Sequence, residues 1–277
     1  MQENKRPIHP LRVVLYAFLV LFSLIYILPV LWLVITSFKD NTQIMASPLS
    51  LPSVWHTENY TEAFGNVITG FKNSLIVVSG TLIICVTLST MAAYGLTRMK
   101  WKFSGAIRGF FMLGMMIPVN AIIIPLLLVY TNIGAVNSHS SLILTYSAFG
   151  FAQAIFIMSG FFASLPRELE EAAVIDGSSI WYAFWKIIFP ISKSGIFVIC
   201  LFIFNLCWNE LLMGMVFISS TDKRTLPVAL ASFIGADSTD YAPMVASIVL
   251  SLIPSTVIYS CFSNQIVAGL TAGAVKG

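Results

Sequence analysis

Charge is what this chain has least of. Only 10% of its 277 residues are charged, where a soluble globular protein carries about 25%. With 57% hydrophobic residues and a mean hydropathy of +0.88, most of its surface cannot face water. That excludes a soluble enzyme or binding module and leaves an integral membrane protein built as one polytopic domain. Catalytic side chains are scarce too. The three histidines, His9, His56 and His139, lie outside the apolar runs, with no HExxH or GxSxG arrangement, so an intramembrane hydrolase is unsupported. Cys85, Cys200, Cys207 and Cys261 all fall inside apolar runs without further metal ligands, and read as small packing residues. No GxxxxGK[ST] run occurs, so the chain cannot cradle ATP phosphates by that device. No cofactor or metal is expected, and energy must arrive from outside. The net charge of +3 is small, and no nucleic-acid partner is expected. An internal repeat is missing, as are charges embedded in several spans, which sets aside the competing class of secondary transporter or channel.

What the chain does have is six long apolar runs, at about 11–38, 73–96, 106–131, 141–162, 195–218 and 243–268. Each has the roughly 20 residues needed to cross hydrocarbon as a helix. The first is too long for a cleaved signal peptide and lacks a small-residue cleavage site, so it is expected to stay as a span. Pro29 predicts a kink in it, and Pro118 with Pro125 predicts a broken third span. Residues 39–72 read as an external loop with short interfacial helices, and 219–241 as a polar loop.

Orientation follows from the basic residues. Lys5, Arg6, Arg12, Arg98, Lys100, Lys102, Arg108, Arg167, Lys186, Lys193 and Lys276 fall on one side of a six-span chain. Lys39, Lys72, Lys223 and Arg224 fall on the other. Eleven of fifteen on one side assigns the termini and the 165–190 stretch to the cytoplasm.

That stretch, LPRELEEAAVIDGSSIWYAFWKIIFP, is the one long segment both charge-bearing and patterned for helix. Ser164 and Pro166 read as a helix start, with Glu168, Glu170 and Glu171 suiting the dipole of its first turns. Asp176-Gly177 reads as a stop, and Ser178 or Ser179 as the cap of a second helix ending near Pro190. Ile180, Ala183, Phe184, Ile187 and Ile188 recur on one face of that helix. A helix pair merely resting on the bilayer would be basic rather than acidic. Ala172 and Ala173 would let another protein approach closely, so the spacing favours a docking surface.

The run Glu171-Ala172-Ala173, with Gly177 four residues on and Ile187-Ile188-Phe189-Pro190 after nine more, resembles the EAA loop of bacterial ABC importer permeases. Phe189 stands where that pattern has Leu. Asn73-Ser74-Leu75, Ala92-Ala93-Tyr94 with Arg98, Met116-Ile117-Pro118, Trp208-Asn209-Glu210, Thr225-Leu226-Pro227 and the GLTAGAVKG ending are similar to sugar permeases of the maltose type. The resemblance implies an all-α, polytopic fold of the type I importer permease, with six transmembrane helices and a cytoplasmic coupling helix pair. It implies a non-enzymatic permease in the bacterial cytoplasmic membrane, both termini inside, forming half of the pathway for a sugar, an oligosaccharide or disaccharide. Its partners would be a second permease in a heterodimer, two ATP-binding subunits and an extracytoplasmic solute-binding protein. A permease for another small solute is the alternative.

Under this resemblance Glu171, Ala172, Ala173 and Gly177 couple the chain to the ATPase, with Glu170, Asp176, Ile187 and Pro190 beside them. Gly273, Ala274, Val275, Lys276 and Gly277 would form a second ATPase contact, where the bare sequence reads a frayed terminus. From the residues themselves, Glu210 is the acid embedded in an apolar run, fourteen residues on from Ile196 and so roughly 21 Å along the helix. It reads either as a pathway or gate residue or as a structurally paired acid. Asn205, Asn209 and Glu210 could bind hydroxyls and Trp208 could stack on a sugar. Asn120 and Gln153 are further candidates, of a type that also joins helices.

Overall fold

A computed structural model describes the chain over residues 10–99, 101–234 and 240–274, with side chains over 11–65, 67–99, 101–234 and 240–262. Every helix and turn element among them is helical. First come α1 (Pro10–Thr36), α2 (Asn41–Ala46), α3 (Glu58–Thr97) and α4 (Ser104–Gly114). A 3-10 turn (Val119–Ile122), α5 (Ile123–Asn132), α6 (His139–Ser164) and α7 (Glu168–Ile175) follow. Next are α8 (Ile180–Ala183), a π turn (Phe184–Ile188), α9 (Phe189–Ile191), α10 (Lys193–Trp208) and α11 (Leu212–Phe217). A second 3-10 turn (Thr221–Lys223), α12 (Leu226–Ala231) and α13 (Tyr241–Ala274) complete the order. Among the described residues four helices are long and apolar enough to cross a membrane, and the number is six when two sharply bent pairs, Ser104–Gly114 with Val119–Asn132 and Ile180–Ile191 with Lys193–Trp208, each count as one span.

Three boundaries differ from the sequence reading. The helix that carries the second span starts well before Asn73. It runs for 40 residues from Glu58, with its candidate span at Val67–Thr97, so the helical part of 39–72 is one long stretch continuous with the span rather than short interfacial helices alone. The third span breaks at one proline rather than two. Its halves meet at 86°, around Met115–Pro118, where Pro118 has extended backbone. Pro125 lies in the first turn of α5, where an N–H has no intrahelical partner to lose, and so breaks nothing. The fifth span is interrupted at Asn209–Leu211, between α10 and α11. Around Pro29 and Pro254 the helices run on.

The chain divides into two compact units, Met1–Asn66 with Phe233–Leu250, and Val67–Ser232 with Ser251–Gly277. In the first, the segment after α1 is tied down by polar contacts. Lys39 is fully buried and donates from Nζ to the carbonyls of Ser47 (3.2 Å) and Pro48 (2.9 Å), with its ammonium 5.1 Å from the Trp32 ring. Asn59 Nδ2 donates to the carbonyls of Ser37 and Lys39. Asp40 caps α2, and the Thr42 hydroxyl and Gln43 N–H hold its carboxyl below the usual carboxylate range. Residues 11–31 of α1 are exposed within this chain, a surface left for lipid or another subunit.

The second unit is organised around α6, whose buried residues lie on every side of the helix. Small residues set its spacing from α10. A Cβ at Gly150 would overlap Cδ1 of Ile203 and lie 3.4 Å from Sγ of Cys85. The segment joining α11 to α12 is strapped from two directions. Asn137, in left-handed backbone at φ 58°, accepts the N–H groups of Ser219 and Ser220 and donates to Oγ of Ser220. Asn73 Nδ2 donates to the carbonyls of Asp222 (2.8 Å) and Arg224 (2.9 Å).

Replacing Gly150 with Leu forces α6 and α10 apart and is expected to destabilise the unit by about 1–3 kcal/mol. A lowered melting temperature of the detergent-solubilised protein checks this; an unchanged melt contradicts it.

Candidate functional site

The 165–190 segment folds as the expected helix, turn and helix. Its first cap differs from the sequence reading. Ser164 is the last residue of α6, with its hydroxyl on the carbonyl of Phe161, and α7 starts after Arg167 without a side-chain cap. Three glutamates in the first turn of α7 supply the favourable charge there instead. At the other end Gly177 has φ 77°, its N–H bonds the carbonyl of Val174 (3.0 Å), and the N–H of Ser178 bonds that of Ala173 (2.9 Å). This is a Schellman ending, and it needs the left-handed residue that glycine supplies without strain. Ser179 caps the next helix through the N–H of Tyr182. The turn ahead of Pro190 widens to π, with the Phe189 N–H on the carbonyl of Phe184. Pro190 has no N–H with which to continue an α ladder.

The pair has an inner and an outer face. Ala173, Ala183, Phe184 and Ile188 are buried and Ile187 packs against them. Ile180, foreseen on that face, is exposed instead. Glu168, Glu171, Ala172, Asp176, Gly177 and Pro190 are exposed, beside exposed Val174, Ile175, Trp181 and Tyr182. Of the two alanines, then, only Ala172 offers its surface outward. The outer face combines three carboxylates with bare apolar side chains, a mixture suited to a protein partner rather than an anionic membrane surface.

Glu170 points inward to Arg98, which in the sequence is a basic residue at the end of a span and part of the family resemblance, without a role of its own. Arg98 Nε donates to Glu170 Oε1 at 2.9 Å. Nη1 donates to the carbonyls of Phe162 (3.1 Å) and Leu165 (3.0 Å), and Nη2 to that of Pro166 (3.0 Å). Beside this guanidinium, the Tyr94 ring packs on Phe162 (centroids 5.8 Å) and on Phe184 (5.1 Å).

A second polar constellation marks the break after α10. Glu210 Oε1 accepts the N–H of Met213 (2.8 Å), and Oε2 accepts that of Gly214 (3.2 Å) and the hydroxyl of Tyr146 (2.5 Å). Its carboxylate thus caps the free N-terminus of α11 and joins it to α6. Asn209 Nδ2 donates back to the carbonyl and side-chain oxygens of Asn205, and both asparagines are exposed. Trp208 is buried, stacked on Phe204 at 5.3 Å and edge-on to Phe71 at 5.6 Å. Asn120 is exposed in the 3-10 turn after Pro118, and Gln153 is half-buried midway along α6. Gly273 and Ala274 close α13, whereas Val275, Lys276 and Gly277 lie outside the described residues.

Tyr146, and the role of Arg98, are what sequence reasoning missed. Each is an ordinary residue of an amphipathic or apolar pattern until its distant partner is known.

Comparison with known proteins supplies a context for both constellations. Residues 85–270 match the family described as the binding-protein-dependent transport system inner membrane component. The diacetylchitobiose uptake system permease protein NgcG of Streptomyces coelicolor is 34% identical over 265 residues, covering 94% of this chain and 88% of that protein. The trehalose/maltose transport system permease protein MalG of Thermococcus litoralis is 31% identical over 272 residues, with 96% and 97% covered. The inner membrane ABC transporter permease protein YcjP of Escherichia coli is 30% identical, with both chains fully covered. Among solved structures, a chain of a bacterial ABC transporter for import of the acidic polysaccharide alginate superposes with a TM-score of 0.81. It covers 96% of this chain at 19% identity, which shows a shared fold.

Replacing Glu210 with Ala strips the cap from α11 and is expected to destabilise the protein by about 1–2 kcal/mol. Glu210→Gln keeps an acceptor and should recover most of that loss. Thermal melts of both variants in detergent check the order, and equal melts would contradict the capping role.

Proposed function

The chain belongs to the inner-membrane-component family of binding-protein-dependent transport systems, and from that premise we propose that it is one of two permeases in an ATP-driven importer of a sugar. The observation that carries the reading is the exposed acidic and apolar face of α7–α9, built on the Glu171-Ala172-Ala173 run and the Gly177 turn. In an ATP-driven system a permease without a phosphate-binding loop is driven through a face of this kind. The basic residues favour the orientation in which this face and both termini are cytoplasmic, in the membrane of a bacterium. Two ATP-binding subunits then dock there, a second permease completes the pathway, and a solute-binding protein delivers from the opposite side. ATP hydrolysis belongs to the partner subunits, and this chain carries no cofactor. Gly273 to Gly277 form a further ATPase contact in this reading.

Sugar as the cargo is supported by the names of the relatives, whose solutes are diacetylchitobiose and trehalose or maltose. The exposed Asn205–Asn209 pair fits such a cargo, because amide groups in an apolar wall offer both donors and acceptors to hydroxyls. Trp208 is committed to packing, and Glu210 to capping a half-helix, so these two shape the pathway without touching the solute.

Gly177→Val places a branched side chain in left-handed backbone, a strain of about 1–2 kcal/mol that opens the turn. In proteoliposomes holding the whole importer, uptake per ATP hydrolysed should fall about tenfold. Removal of residues 269–277 should lower it as well. Wild-type uptake in both variants would sink this coupling assignment.

A further inference from the structure

Arg98 has a side chain only 4% exposed, at the end of a membrane-spanning helix where a basic residue would ordinarily reach for water or lipid headgroups. Four of its five N–H donors are committed within the chain. Its acceptors come from three pieces of structure. Phe162 belongs to the last turn of α6, where its carbonyl also takes the Leu165 N–H at 3.2 Å, and Leu165 and Pro166 belong to the extended exit from that helix. Pro166 cannot supply an N–H to continue the ladder, so the guanidinium takes its place. Glu170 lies in the first turn of α7. Arg98 itself follows α3 and keeps its own N–H on the carbonyl of Tyr94, at 2.9 Å.

We propose that Arg98 is the positioning residue through which α7 moves the spans: it welds α3, α6 and α7 into one body, so that a displacement of α7 reaches both spans instead of being absorbed by residues 165–167. The proposal rests on the reading of α7–α9 as the ATPase contact. Its physical basis is the planar fork. A guanidinium can bind several carbonyls and a carboxylate in fixed directions, whereas an ammonium supplies the same charge without that geometry. A bare linker of three residues between α6 and α7 would bend under a push on α7. With the fork in place it cannot bend without breaking charge-assisted hydrogen bonds. The aromatic contacts extend the weld to the second helix of the pair, since Phe184 is buried against Tyr94 of α3, which also packs edge-on to Phe162 of α6. Glu170 therefore works inward, while Glu171, one residue on, faces outward. Adjacent acids divide the work: one receives the partner and the other passes the motion on.

The test uses the complete importer, with its binding protein, in proteoliposomes, and reads solute imported per ATP hydrolysed. Arg98→Lys keeps the charge and loses the fork; uptake per ATP should fall about tenfold while the complex still assembles and hydrolyses ATP. Glu170→Ala leaves the three carbonyl bonds and should give a smaller fall of about threefold. Wild-type uptake per ATP in Arg98→Lys overturns the proposal. If that variant fails to assemble, Glu170→Ala decides alone, and wild-type coupling there overturns it. Ala172→Arg, on the outer face, separates the two levels. If Ala172→Arg is uncoupled and Arg98→Lys is not, only the weld is wrong. If Ala172→Arg is fully coupled, α7 is not the ATPase contact and the premise fails with it.

Discussion

A peptide group in hydrocarbon has no water to turn to, and that constraint shapes the breaks between the described helices. Where the helices are continuous the ladder satisfies it without help. The interest lies where they stop. Between α4 and α5 the N–H groups of Met115, Met116 and Ile117 close i→i+3 bonds on Met112, Leu113 and Gly114, and the next residue is Pro118, which has no N–H to place. The Ala121 N–H then takes the carbonyl of Pro118. A sharp bend is thereby made with no donor left over at the proline. Between α10 and α11 a carboxylate does the same work from a side chain, Glu210 accepting two N–H groups of the new helix.

At the exit from α6 the groups to be met are carbonyls rather than N–H groups, and a cation meets them. Arg98 is nearly out of contact with solvent, and a buried charge is tolerated only with full hydrogen bonding. It has a carboxylate and three carbonyls. The desolvated arginine, the Tyr94, Phe162 and Phe184 rings in edge-on and tilted contact, and the apolar core beneath them form one continuous packing unit. A transporter needs parts that stay rigid while others rearrange, since packed cores switch between discrete arrangements rather than flex. This end of α3 and α6 is built as such a rigid part.

Outward, the same segment is unfinished. Val174, Ile175, Trp181 and Tyr182 are bare beside Glu168, Glu171 and Asp176, and α1 is exposed from Leu11 to Leu31. Such open flanks suit a component of a larger transport system, with the rest of its apolar surface facing lipid.

Much of this could be read in the sequence, because the signals are local. Apolar runs of spanning length, the Asp176-Gly177 stop, the Ser179 cap and the proline in the third span each act within a few residues of themselves, and the structure places helices, turn, cap and break there. The EAA run carried the family for the same reason: its residues serve one turn and one face. Other features depend on residues far along the chain. Arg98 and Glu170 are 72 residues apart, and Tyr146 and Glu210 are 64 apart. No periodicity announces such pairs, so Arg98 read as a basic flank and a motif residue without a partner, and Glu210 as an acid of open purpose. Composition and periodicity decided that this chain crosses a membrane as helices. Which buried charge meets which partner was decided by packing alone, since only the assembled bundle brings those groups within hydrogen-bonding distance.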